Sequence, residues 1–142
     1  PMMETNLIDF ISSSATVEDA LAGTTDRCSL PDIAVYLQKM IDASPYTTRQ
    51  FFDKAALERT AGFRIMDGQR KPSRNVLVRI ALLMGLTVAK TQELLTVGGK
   101  ACLNPMQKRD VVLLWALTHH LDGTQAEEAL QKIGVEGLYR GK

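Results

Sequence analysis

The chain almost lacks the two-residue alternation that strands need, and instead repeats a three-to-four residue apolar spacing in short runs. Each run is closed by its own punctuation. Amphipathic helices carry that spacing, while half-buried strands alternate side by side. Proline, glycine and Ser/Thr caps recur every ten to fifteen residues, so long rods are excluded and short helices joined by tight turns remain. The expected class is all-α. Short helices at this spacing suggest an orthogonal bundle.

The punctuation marks out seven helices after an uncertain start. The first is expected from Pro31 to about Ala43, with Ser29 or Leu30 just outside and Ser44-Pro45 as its end. The second opens on the capping box Thr47-x-x-Gln50 and runs to about Ala55. After a turn at Ala55-Ala56-Leu57, a third covers about Glu58 to Met66, with Gly68 and Pro72 behind it. Ser73 caps a fourth, whose buried set is Val76, Leu77, Ile80, Ala81, Leu83 and Met84. Gly85-Leu86-Thr87 ends it and caps a fifth, which Gly98-Gly99 stops. A sixth is expected over Pro105 to Leu121, and a seventh from a capping box Thr124-x-x-Glu127 to Gly134. Upstream, Leu7, Phe10 and Ile11 have helical spacing and Thr16 could cap a short helix. Residues 1–29 therefore read as an acidic arm or short helices, 30–99 as a compact domain, and 100–142 as a helical extension packed on the same core.

Charge separates these parts. The 142 residues carry 17 Lys+Arg and 16 Asp+Glu, a net +1 that conceals the distribution. Residues 1–32 hold six acids and one base, net −5; residues 49–79 hold eight bases and three acids, net +5. A concentrated basic segment is an electrostatic footprint for a polyanion. The plain alternative is solvated helix faces whose charges happen to cluster.

The basic segment coincides with the one constellation that carries chemistry, TTRQFFDKAALERTAGFRIMDGQRKPSR over 47–74. Two short helices joined by a tight turn can set the second in a DNA major groove while the first crosses the backbone. Thr48, Arg49 and Gln50 sit at the start of the second helix, where amide N–H groups favour phosphate. Arg59, Thr60, Phe63 and Arg64 are candidates for the exposed face of the third. Arginine can read guanine with two hydrogen bonds, and threonine can touch a thymine methyl. Arg70, Lys71 and Arg74 would neutralise phosphates.

This stretch resembles the phage-repressor (Cro-like, XRE-type) helix-turn-helix family. The resemblance rests on Thr-x-x-Gln, the apolar pair Phe51-Phe52, Ala-x-Leu, and then Gly68-Gln69-Arg70-Lys71-Pro72-Ser73 followed by Leu77, Ile80, Ala81, Gly85 and Leu86. It covers about residues 32–97. The C-terminal piece resembles an extension in one subgroup of bacterial regulators. The resemblance implies a five-helix lambda-repressor-like bundle, a transcriptional role, double-stranded DNA as partner, and no cofactor. By the same match, Thr48 to Gln50 would touch backbone, and Arg59, Thr60, Phe63 and Arg64 would face bases. Gly62 inside the third helix and Phe52, where the family usually has alanine, depart from the pattern. Glu58 would repel phosphates unless it accepts from a cytosine amino group. These departures leave open a protein-interaction or antitoxin-like adaptor that keeps the helix-turn-helix fold without sequence-specific readout.

Other residues have plainer expected roles. Thr47 and Thr124 read as caps, Arg109-Asp110 as a structural ion pair or cap arrangement, and His119-His120 as a helix end. Trp115 with Leu113, Leu114 and Leu117 reads as core, the alternative being an exposed patch through which C-terminal helices form a homodimer. Cys28 and Cys102 lack zinc spacing and are expected as reduced thiols in a cytoplasmic protein. No basic-apolar leader is visible, and the longest apolar run, Val111 to Leu117, is seven residues, far short of a membrane span. No catalytic motif is present, so an enzyme is not expected.

Overall fold

A computed structural model describes residues 32–139. The expectations over residues 1–31, including the acidic arm, the Thr16 cap and Cys28, lie outside the described residues. Among those described, every regular element is helical: α1 Ile33–Ala43, α2 Thr48–Lys54, α3 Arg59–Met66, α4 Arg74–Met84, α5 Val88–Val97, α6 Lys108–Thr118 and α7 Gly123–Lys132. No helix among them is long and apolar enough to cross a membrane.

Caps set most of these boundaries. Thr47 Oγ1 accepts from Gln50 N at 3.2 Å while Gln50 Oε1 accepts from Thr47 N at 2.9 Å, the reciprocal box the spacing predicts. Ser73 and Thr87 cap α4 and α5 through Val76 N and Lys90 N. Gly85, in the left-handed region at φ 63°, closes α4.

Three boundaries differ from expectation. The α1 helix starts at Ile33 rather than Pro31, capped by Asp32, whose carboxylate accepts from Ala34 N at 2.8 Å. The α6 helix is shorter than Pro105 to Leu121. Asn104 holds a turn there, its Oδ1 accepting from Met106 N and its carbonyl from Gln107 N. The cap of α7 is the Asp122–Gln125 box, two residues ahead of Thr124-x-x-Glu127. Glu127 is engaged elsewhere: its two carboxylate oxygens accept from Leu138 N at 3.1 Å and Tyr139 N at 3.2 Å.

The architecture is centred on α4. Seven consecutive residues, Val76 to Leu82, are buried. A helix buried all round must be surrounded, and α4 packs against α5, α6 and α7. The core is one cluster that joins Phe51, Phe52, Leu77, Ile80, Leu94 and Leu95 to Leu113, Ala116, Leu130 and Leu138. The residues after 100 therefore share the core of those before it. On α6 the inward row is Asp110, Leu113, Ala116 and Leu117. That helical phase turns Trp115 outward, 48% exposed, where the sequence reading expected a core residue.

Three arginines fasten this core to its loops. Arg74 reaches Asp110 with both Nη atoms, at 3.0 and 2.8 Å, and also donates to the carbonyls of Ala101 and Cys102. Arg109 donates to the Asn75 side chain and to the carbonyls of Glu136 and Gly137, so the expected Arg109–Asp110 pairing is replaced by Arg74–Asp110. Arg79, 8% exposed, donates to the carbonyls of Ala55 and Leu138 at 3.0 and 2.8 Å.

Burial alone would raise the Asp110 pKa. The Arg74 hydrogen bonds, the Asn104 N–H and the charges of Arg74 and Arg109 outweigh it and hold the pKa below its ordinary value. The pair's contribution is then complete above about pH 4, where the unfolded carboxylate is also ionised, and fades as pH falls through the lower native value. Asp110→Asn is expected to lower the unfolding free energy at pH 7 by about 2–3 kcal/mol, at or just under the low end of the range for a broken buried pair, because the Arg74 side chain stays 25% exposed. Urea unfolding of both proteins should show the gap narrowing as pH falls below about 4. A gap independent of pH would remove the ionised carboxylate from the account.

Candidate nucleic-acid interface

The α2 and α3 helices are joined by a turn over residues 55–58 and pack on each other, with α3 also resting on α1. The turn works because Ala56 takes the left-handed conformation, φ 56°, letting Leu57 N reach Phe52 O at 2.8 Å. Glu58 precedes α3 without capping it through its side chain. An eight-residue helix without that cap gains its stability mainly from packing.

That packing comes from a size exchange between Gly62 and Phe52. A Cβ at Gly62 would lie 2.7 Å from the Phe52 ring. Phe52 is 2% exposed and its ring meets Phe63 edge-to-face, centroids 5.2 Å apart at 88°. The space left by the absent side chain at Gly62 is filled by the large one at Phe52, so the two residues form one complementary contact. Gly62 and Ile65 face inward, while Arg59, Thr60, Phe63, Arg64 and Asp67 occupy the exposed face of α3.

The bases divide into two populations. Arg49, Lys54, Arg59, Arg64, Arg70 and Lys71 are exposed, with Asp53, Glu58 and Asp67 as exposed acids. Arg59 lies 3.1 Å from Asp53, both side chains 55% exposed. The other five exposed bases form no ion pair with the described residues. Arg74 and Arg79 point inward. The structure thus assigns Arg74 to Asp110 and two loop carbonyls, not to the cationic loop where the sequence reading placed it.

The loop begins where α3 ends. Gly68 takes φ 76°, and Gln69 N and Arg70 N both approach Arg64 O, at 2.9 and 3.3 Å. The loop backbone at Gln69 and Arg70 is therefore tied back to Arg64, with Lys71 next in the chain. Of the residues expected at the start of α2, Arg49 is exposed, Thr48 is half-buried and Gln50 is engaged in the capping box. The helix α7 packs on α4 and α6.

Sequence reasoning missed the special position of Arg79. Its signal was one charged residue inside the apolar run Val76 to Met84. No protein-family model matches this chain, and no curated protein or solved structure is significantly similar to it.

The close contact carries a stability prediction. Alanine ordinarily favours a helix over glycine by about 1 kcal/mol. Gly62→Ala is nevertheless expected to destabilise by about 1–3 kcal/mol, because the methyl meets an aromatic ring that is walled in. Phe52→Leu in the same chain should recover part of that loss. A double-mutant cycle by denaturant unfolding checks it, and additive effects would contradict the contact.

Proposed function

We propose that the chain is a DNA-binding transcriptional regulator of the helix-turn-helix type, working on chromosomal DNA in the cytoplasm of a bacterial cell. In this reading α3 enters the major groove, α2 lies across the backbone, and the loop after α3 neutralises phosphates. One observation carries the reading. The exposed face of α3 holds Arg59, Thr60, Phe63 and Arg64 together, and runs into Arg70 and Lys71, which form no ion pair among the described residues. Base-reading and phosphate-neutralising groups then form one continuous surface.

Arg64 and Thr60 supply hydrogen-bonding groups for base edges, and Phe63 supplies an apolar edge for a thymine methyl. Arg59 enters through exchange, leaving Asp53 for a base or phosphate; an ion pair this exposed costs little to break. Glu58, at the turn, favours a cytosine amino group beside it. Arg49 marks the backbone contact of α2.

A homodimer belongs to the same proposal. Trp115 and Val111 are half exposed and line an apolar groove of about 560 Å³ between α6 and α7, with Leu121 and Ile133 also on its wall. A second copy seated there would supply the two α3 helices that paired half-sites require. Sedimentation should show concentration-dependent dimers that Trp115→Glu abolishes; a monomer at all concentrations would leave α3 to bind single sites.

Selection from a random DNA library followed by titration is the direct test. Arg64→Ala should weaken the selected site by roughly five- to a hundredfold and random DNA much less. Arg70→Ala should weaken both alike and lower the slope of log K against log salt by about 0.9. Arg74→Ala should leave that slope unchanged and lower stability instead. No binding to any fragment at low salt would overturn the proposal in favour of the adaptor.

A further inference from the structure

A cavity of about 230 Å³ opens beneath the turn between α2 and α3. Its apolar wall includes Ile65 and Val76, and its polar wall includes Glu58, Arg70, Arg79 and Tyr139. The cavity is smaller than the roughly 300–1,000 Å³ of pockets for drug-sized ligands, which limits an occupant to a small molecule.

The unusual member of this wall is Arg79. It is 8% exposed, yet no carboxylate pairs with it among the described residues. Three carbonyls serve it instead: Ala55 O at 3.0 Å, Leu138 O at 2.8 Å and Ala56 O at the long distance of 3.5 Å. A guanidinium has five N–H groups, so three bonds leave two over. The Tyr139 ring, 5.2 Å from the guanidinium carbon, adds only a cation–π contact. The Glu127 carboxylate favours this charge only through space, without a hydrogen bond to it, so desolvation remains the largest effect on the guanidinium. Burial accordingly lowers the Arg79 pKa from its ordinary value.

We propose that this cavity binds a small monocarboxylate. Its carboxylate would take the N–H groups of Arg79 that the carbonyls leave over, together with the exposed Arg70 guanidinium. Its short hydrocarbon body would lie against Ile65 and Val76. The charge of the wall sets the class: two arginines against Glu58 leave one net positive charge, which suits a monoanion and opposes a dianion. The proposal is independent of the DNA-binding reading. Where both hold, the ligand and a DNA phosphate compete for Arg70.

The test uses the whole chain without DNA, at constant ionic strength. Butyrate, benzoate and inorganic phosphate are titrated separately and followed by calorimetry and by the thermal unfolding midpoint. Butyrate or benzoate should bind saturably and raise the midpoint, with phosphate weaker than either. Arg70→Ala should weaken the carboxylate roughly tenfold, the scale of one charge-assisted hydrogen bond. Ala61→Leu, which fills the cavity from α3, should abolish binding. Arg64→Ala, a base of the same helix outside the cavity, should leave it unchanged. Circular dichroism reports whether each variant is folded; if Ala61→Leu is not, the contrast between Arg70→Ala and Arg64→Ala decides. Non-saturating heats, phosphate binding as tightly as benzoate, or equal losses in Arg64→Ala and Arg70→Ala would each overturn the proposal.

Discussion

A charge taken out of water must be met by something, and in this chain that requirement organises the molecule around α4. Arg74 at its first turn meets Asp110 and the carbonyls of Ala101 and Cys102; Arg79 near its centre meets the carbonyls of Ala55 and Leu138. Each guanidinium joins segments that are far apart in sequence. Arg74 fixes the 101–110 loop to the start of α4. Arg79 fixes the turn after α2 to the segment after α7. The apolar cluster supplies most of the burial, but apolar contact is not directional. The planar guanidinium fork supplies direction, because its donors meet carbonyl and carboxylate oxygens at defined angles.

The same requirement explains why a short, weakly capped helix can hold a defined position. The α3 helix has Glu58 without a capping hydrogen bond at one end and a glycine in its middle. By propensity alone it is marginal. Phe52 fills the space that Gly62 vacates, and Arg79 holds the carbonyl of Ala55 in the turn that feeds the helix. Glycine at this position therefore costs backbone entropy and returns close approach. A bulkier residue would push α3 away from α2 and move the whole exposed face with it.

Much of this was legible in the sequence, because capping and turn chemistry are local. Thr47 with Gln50, Ser73, Thr87, Gly68 and Gly85 each act within four residues of their own position, and each marks the boundary it predicts. The features that were not legible are those settled by distant partners. Nothing near Arg74 in sequence distinguishes it from Arg70; Asp110, thirty-six residues on, makes the difference. Thr124 and Glu127 have the spacing of a capping box, but the backbone of Leu138 and Tyr139 takes the Glu127 carboxylate. Trp115 was misplaced because the run from Val111 to Leu117 is apolar on every face, so periodicity could not fix its phase. For the candidate site, the exposed face of α3 followed from helical spacing, whereas the inward turn of Arg74 and the use of Gln50 as a cap depended on geometry.

Sorting the basic residues by their partners changes what the charge of the 49–79 segment means. Two of its eight bases are structural, and six remain at the surface against three acids. The excess is smaller than the sequence sum, but it is concentrated: Arg64, Arg70 and Lys71 adjoin where α3 passes into its loop. A polyanion responds to local density of charge within about a Debye length, not to the sum over a segment. The inward arginines also contribute, by a different route. Arg79 links the turn before α3 to Leu138, so the residues after 100 help to hold the surface that α3 presents. A truncation that removed the 138–139 segment would leave Arg79 buried without its shortest hydrogen bond, and the first element to feel that loss would be the turn that positions α3.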